Sequence, residues 1–414
     1  MPSAPTTSLD LSDPAFLADP YPALARERAR HPVAWHEPSQ AWLTFTHATV
    51  GQVQRDRRLG RHWVDREPRD ALEPFNLLHR HQMMEHEPPT HTRLRRPVAS
   101  AFSRGHVERL RPRVREIAAG LLEEAGPDRF DLVTAYAEPL PVLVIAELLG
   151  VPRAHVGDLR RWSQAIVRMY EVDPGPAVVD AAVSASVDFA ALVRDLAAHR
   201  RRRPAADLVS DLVATELSQD EVVAAVVLLL NAGHEASVNV LGNGLVAALD
   251  PTTLDSTAPD PTAPDPKAPT SHERTLEQAL AGAPVARAVE ELLRVDAALQ
   301  LFVRTASEPV RLGEGPGSVV VGRGERVCAL PGAANRDPAV FADPDTFVPG
   351  RDPNPHLSFG VGVHFCLGAP LARAELAEAL AVLRERRPGL HLAGERVRRG
   401  TFVLRGHTRV PVAG

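Results

Sequence analysis

Apolar residues recur every three or four positions over 107–124, 138–149 and 181–201, the spacing of helices with one buried face. Prolines mark the boundaries between such stretches, as at Pro88-Pro89, Pro174 and Pro204. Short β-branched runs bordered by glycine at 318–321 and 325–329, together with 33–46, predict a small sheet. The pattern is that of a mainly α chain with a minor β part. Its longest helix begins at Ser218-Gln-Asp-Glu221, a capping box in which Ser218 and Glu221 satisfy amides left free at a helix start. Helix-compatible sequence then continues to Asp250, where Pro251 stops it, a length of roughly 45 Å. The middle of this helix breaks the pattern. An apolar stretch runs into Asn231-Ala-Gly-His-Glu-Ala-Ser237, with a glycine and several polar groups where a core helix is expected to be most apolar. A mid-helix glycine costs about 1 kcal/mol, and a buried unpaired carboxylate costs more. Either the helix surfaces partway along, or something approaches its backbone closely.

Residues 251–273 stand apart, with T-A-P-D-P twice in tandem and almost no large apolar side chain. Such a segment cannot contribute to a packed core and reads as an exposed loop. At 414 residues the chain is long enough for two or three domains. The motifs on either side of 251–273 favour an insertion within one domain spanning 1–414.

Composition narrows the function classes. With 44% hydrophobic and 24% charged residues the chain is globular rather than disordered. A net charge of −5 argues against a nucleic-acid binder relying on a global basic field. Cys328 and Cys366 are the only cysteines, which excludes a disulfide scaffold and suits a reducing compartment. The N-terminus has no basic and then apolar signal pattern, and no apolar run reaches the roughly 18 residues of a membrane span. The expectation is a cytoplasmic protein with no membrane partner.

Cys366 carries the strongest chemical signal. It lies in His356-Leu-Ser-Phe-Gly-Val-Gly-Val-His-Phe-Cys-Leu-Gly368, where Gly360 and Gly362 permit a tight loop and helical sequence follows Leu367. A cysteine at a helix start is favoured as a thiolate, which ligates a metal or attacks an electrophile. A lone cysteine is ordinarily an inert core thiol, and Cys328 is read that way. A thiol hydrolase using Cys366 and His364 is disfavoured, because the two are only two residues apart and no third orienting group is evident.

Phe359 to Gly368 resembles the haem-binding signature F-x-x-G-x-x-x-C-x-G of the cytochrome P450 superfamily, four fixed residue types in ten positions. Weaker matches follow in the same order. Glu291-Leu-Leu-Arg294 is similar to the family's E-x-x-R, although Glu27-Arg-Ala-Arg30 has that spacing too. Arg304, Asn335-Arg-Asp-Pro338, Phe347-Val-Pro-Gly-Arg351, His91-Thr-Arg-Leu-Arg95 and Ala232-Gly-His-Glu235 complete the set. The resemblance covers roughly residues 10–410. It implies a helical prism around a buried haem b, with Cys366 as the axial thiolate whose electron donation favours O–O cleavage. It implies propionate contacts from His91, Arg95, Arg304 and His356, and a haem-facing loop containing Phe359, Gly360 and Gly368. Glu291, Arg294 and Arg351 are implied as a buried structural network, and Gly233, Glu235, Ala236 and Ser237 as the oxygen-activating segment.

One departure bears on mechanism. The family usually has threonine after the acid of the distal helix; here Glu235 is followed by Ala236, and the hydroxyl comes at Ser237. One residue turns a helix by about 100°, so a kink, an ordered water or a substrate hydroxyl would have to complete proton delivery. Glu235 is expected to organise the proton path, and the insert at 251–273 to have no catalytic role. By resemblance Ala232, Leu299, Gln300 and Phe302 line a pocket for a medium-sized, largely apolar molecule, with Gln300 as its polar handle. Hydroxylation, a related oxidation, oxidative coupling and a haem protein without turnover all remain compatible. No redox module is appended, so electrons would come from NAD(P)H through a separate ferredoxin and its reductase. Arg95, Arg96, Arg373 and Arg384 are candidates to steer that partner to a monomeric enzyme.

Overall fold

A computed structural model describes residues 4–171, 174–250 and 274–414. The insertion expected at 251–273 lies outside the described residues. Helices dominate. The expected stretches form Arg104–Glu124, Pro139–Leu149 and Pro176–Arg202. The last begins five residues earlier than its periodicity indicates, with Pro176 in the first turn, where a missing N–H costs nothing.

The central helix spans Gln219–Leu249, with the full capping box at Ser218 and Glu221. It packs against Pro139–Leu149, Val156–Val167, Pro176–Arg202 and Val285–Val295, so it runs through the helical core rather than along its surface. By length and composition both it and Pro176–Arg202 would pass for membrane spans, contrary to the sequence reading. In the central helix that apolarity answers mostly to burial. Most side chains of the central helix are enclosed, and Pro176–Arg202 turns Ala182, Phe189, Val193 and Leu196 toward the same core.

The β part is larger than expected. A six-stranded sheet runs Thr6–Thr7, Val33–His36, Ala41–Thr44, Arg326–Ala329, Phe302–Ala306, Leu59–Gly60 in spatial order. The stretch 33–46 is two antiparallel strands, divided by a turn in which Gln40 takes a left-handed φ of 46°. Phe302–Ala306, expected only as pocket wall, is a strand between Arg326–Ala329 and Leu59–Gly60. Its flanking polar residues masked the alternation. Cys328 is buried on this sheet, its thiol pushed up to about 12 by desolvation.

Candidate active site

The loop 359–368 folds back on itself between the sheet and the helix Ala369–Arg386. Gly360 and Gly362 have φ of 64° and 82°, a region costly for side chains, and a Cβ on Gly362 would collide with the Gln54 carbonyl. The Cys366 amide donates to Phe359 O at 2.9 Å, closing the loop. The Cys366 sulfur accepts from the amides of Gly368 and Ala369, at the start of the following helix. Desolvation nevertheless dominates and raises the thiol, while those amides, Arg95 and Arg373 oppose it. Helix position alone therefore does not make Cys366 a thiolate; a cation opposite the sulfur would have to complete the task. Arg373 lies 4.5 Å from the Phe359 ring centroid.

A second unusual feature is the middle of the central helix. Beyond its first turn the helix is mostly buried on either side of this segment, yet Ala232 is exposed and Gly233, Ala236 and Ser237 are half-buried. Four small residues thus open the middle of a core helix. Glu235 is enclosed; its Oε2 accepts from Arg399 Nη1 at 2.9 Å, and its Oε1 has no hydrogen bond. Arg399 had no recognisable signal in the sequence, because only the chain's return from the C-terminal strands brings it to the helix.

Ser237 has a partner on another helix. Its hydroxyl bonds Glu375, a buried carboxyl on the helix after Cys366, whose pKa burial raises to about 8. The folded protein therefore holds a proton that the unfolded chain, at 4.5, releases first. Stability falls as pH rises from about 4.5 to about 8 and levels off above that. Glu375→Gln removes this dependence. Its melting temperature should exceed that of the parent by a margin that grows between pH 5 and 8, and a constant margin would disprove the assignment.

The cations expected around a propionate are only partly gathered. His91 is buried with Nδ1 unpartnered, and its ring meets His364 edge-on at 4.7 Å between centroids. His364 Nε2 bonds Glu87 at 2.7 Å, and Glu87 also accepts from the Arg61 amide. Arg304 is buried among Arg61, Glu87 and Glu85, lowered to about 9 chiefly by burial. Arg95 reaches the carbonyl of Phe365 at 2.8 Å. His356 does not join them: its Nε2 is held by Glu290 at 3.0 Å, and its Nδ1 accepts from the Ser358 amide. Glu290 in turn holds Arg373 at 2.6 Å. The histidine beside His91 is His364, which sequence reasoning named only as a hydrolase partner. Its bond to Glu87 points it away from that chemistry.

Gln300 is likewise elsewhere. Its amide donates to Ala297 O at 2.6 Å and Tyr21 Oη at 3.0 Å, and it is fully buried against Gly332, so it is a core contact rather than a pocket handle. Leu299 bridges Leu404, and Phe302 packs on the sheet cluster. Glu291, Arg294 and Arg351 converge with Asn354 and the Val348 amide around one carboxylate.

The sequence model of the family described as Cytochrome P450 matches residues 271–385. The chain is 36% identical to the cytochrome P450 monooxygenase PikC of Streptomyces venezuelae, over 99% of this chain and 94% of that protein. It is 38% identical to 6-deoxyerythronolide B hydroxylase of Saccharopolyspora erythraea, covering 79% of this chain and 76% of that one. The fold superposes on the crystal structure of P450BioI in complex with hexadec-9Z-enoic acid ligated acyl carrier protein, with a TM-score of 0.86 and 29% identity, over 96% of this chain and 99% of that chain.

Proposed function

The chain belongs to the cytochrome P450 family of monooxygenases, and from that premise we propose that Cys366 holds a haem b against the opened middle of the central helix, over a single unit spanning 1–414. The observations that carry this reading are a sulfur receiving two amide hydrogen bonds and a core helix opened in its middle at Ala232, Gly233, Ala236 and Ser237. The residues present fit the group. A buried, unpartnered His91 Nδ1 suits a carboxylate of the cofactor, as does buried Arg304, whose charge acts on the neighbouring His364, and His364 supports that end in the place assigned from sequence to His356. When bound, haem supplies the redox-active iron at which dioxygen is activated, with thiolate donation favouring O–O cleavage.

The chain's own residues then do three things. The amides of Gly368 and Ala369 stabilise negative charge on the sulfur. Phe359, under Arg373, shields the cysteine side. Glu235, clamped by Arg399, presents its free Oε1 within the helix segment that must pass protons.

Substrate selection is a second part of the proposal. With Gln300 committed to the core, the opened face of the central helix offers alanines and glycine rather than polar handles. That favours a medium-sized, mainly apolar substrate, held by shape, of the kind tailored into natural products. The Ala236 step, with Ser237 turned to Glu375, favours a substrate hydroxyl or ordered water as the missing link in proton delivery.

Electrons are proposed to come from NAD(P)H through a separate ferredoxin and reductase in the cytoplasm. Val363 and Phe365 are exposed on the cysteine loop, and exposed Arg96 lies on the helix Thr90–Ala99, whose Arg95 reaches that loop. An acidic partner suits that face better than the bound Arg373 and Arg384 would suggest. The decisive measurement is the absorption of the reduced, carbon monoxide-bound protein. A Soret band at the long-wavelength position of thiolate-ligated haem is expected; protein that takes up no haem under adequate supply refutes the reading.

A further inference from the structure

His234 is completely buried on the central helix, and neither ring nitrogen has a hydrogen-bond partner. Its Nδ1 lies 3.5 Å from Glu235 Oε1, the carboxylate oxygen that is itself unpartnered. Each orphaned buried polar atom costs about 1–3 kcal/mol, and native proteins leave few of them. A leucine at 234 would avoid the cost and pack as well as its neighbours Leu228, Leu229 and Leu230. Two such atoms facing one another, on the helix turn that lacks a hydroxyl at Ala236, are better explained by a proton moving between them.

The surroundings fit that use. Glu235 faces the ring from the same helix, Arg399 from the C-terminal return, and Arg160 from the helix Val156–Val167. Arg160 is itself engaged with Glu138 at 3.2 Å, and Glu138 adds negative potential at Glu235. Ser163, one turn beyond Arg160, is buried with its hydroxyl also unpartnered. Arg160 and Arg399 are 44% and 18% exposed, so this side of the helix leads to solvent.

We propose that His234 is a positioning residue that hands protons from this solvent-facing side to the Glu235 carboxylate, a role that rests on the monooxygenase reading above. In the step, the Nδ1–H bond breaks as a proton reaches Glu235 Oε1 while Nε2 takes a proton from a solvent hydronium ion, leaving water. A ring flip then turns Nδ1 to the solvent-facing side, where Nδ1 gains a proton as Nε2 gives one back to water, and the flip back restores the starting state. The ring stays neutral throughout. Burial, which lowers His234 from 6.5, keeps it in the form that holds one proton and one lone pair.

The test uses the haem-loaded full chain, NADPH, a surrogate ferredoxin–reductase pair and dioxygen, with no organic substrate. Two balanced outcomes compete: O2 + NADPH + H+ gives H2O2 + NADP+, and O2 + 2 NADPH + 2 H+ gives 2 H2O + 2 NADP+. His234→Gln keeps volume and hydrogen bonding but carries no proton; His234→Phe keeps volume alone. Both are expected to slow oxygen uptake about ten-fold, raise the share released as peroxide and enlarge the solvent isotope effect in D2O. Either variant matching the parent in peroxide share and isotope effect, with an unchanged carbon monoxide spectrum, overturns the role. Should the phenylalanine variant not fold, nitrogen-15 spectra of the reduced carbon monoxide form decide independently. Glu235→Gln should shift the His234 tautomer balance, identified by its loss in His234→Gln, and no shift overturns the proposal. Absence of a thiolate-type spectrum in the parent would instead overturn the monooxygenase reading itself.

Discussion

Cys366→Ala is expected to abolish monooxygenase turnover and the long-wavelength carbon monoxide band, while leaving a folded, soluble chain. The sulfur is the only group on the loop 359–368 placed to ligate a metal, and among the described residues no cluster of three His, Cys, Asp or Glu side chains could hold one instead. The loop should survive the change. Its shape depends on the two positive-φ glycines and on the Cys366 amide bonded to Phe359 O, neither of which needs the thiol. The Gly368 amide loses its acceptor, at a cost of about 1–3 kcal/mol, while the Ala369 amide keeps the Cys366 carbonyl at 3.4 Å. Loss of haem adds a mass-action penalty, so the variant should melt below the parent when the parent is loaded. Spectroscopy of the reduced carbon monoxide form and a turnover assay check the prediction together. Retention of the long-wavelength band in the alanine variant would mean that Cys366 is not the axial ligand.

Glu291→Ala should be the most damaging single change to stability. One carboxylate accepts from Arg294 Nε and Nη2 at 2.8 and 2.7 Å, from Arg351 Nε at 3.1 Å, from Asn354 and from the Val348 amide. Arg294 is fully buried and also donates to the carbonyls of Asn335, Pro344 and Thr346. Removing the acid leaves two guanidinium groups facing each other with little or no water, a cost of about 3–5 kcal/mol. That is a large part of the stability of a typical domain. The chain contains its own control in Glu27 and Arg30. Their sequence spacing is the same, but Arg30 is 68% exposed and the pair is 3.3 Å apart, so Glu27→Ala should cost only about 0–1 kcal/mol. Denaturant midpoints of the two variants measure the difference, and equal losses would show that the buried network contributes no more than a surface pair.

The Glu27 and Glu291 pairs also show where sequence reasoning is strong and where it stops. Both have the E-x-x-R spacing, and only tertiary packing leaves the arginine of one in solvent and makes the other pair the keystone of several loops. The central helix was legible from end to end, because its capping box, apolar run and terminal proline act locally and no distant residue is needed to place them. The signature around Cys366 was legible for the same reason: glycine conformations and a helix start belong to neighbours in the chain.

His356 and His364 were not distinguishable that way. Both flank the same loop, and the choice between them was made by Glu290 and Glu87, which lie 66 and 277 residues away. Gln300 left the pocket for the same kind of reason, captured by Tyr21 from 279 residues away. Ser237 turned to Glu375 because a helix fixes the direction of each side chain to within its 100° step, and the neighbour on that bearing is a different helix. By itself, then, the sequence determined the helical class, the long central helix with its interrupted middle, the glycine loop and the cysteine, since these rest on local backbone preference and periodicity. Only the tertiary structure decided which histidine stands beside His91, which arginine holds Glu235 and where Ser237 and Gln300 point, since each depends on which distant side chain burial brings within hydrogen-bonding reach.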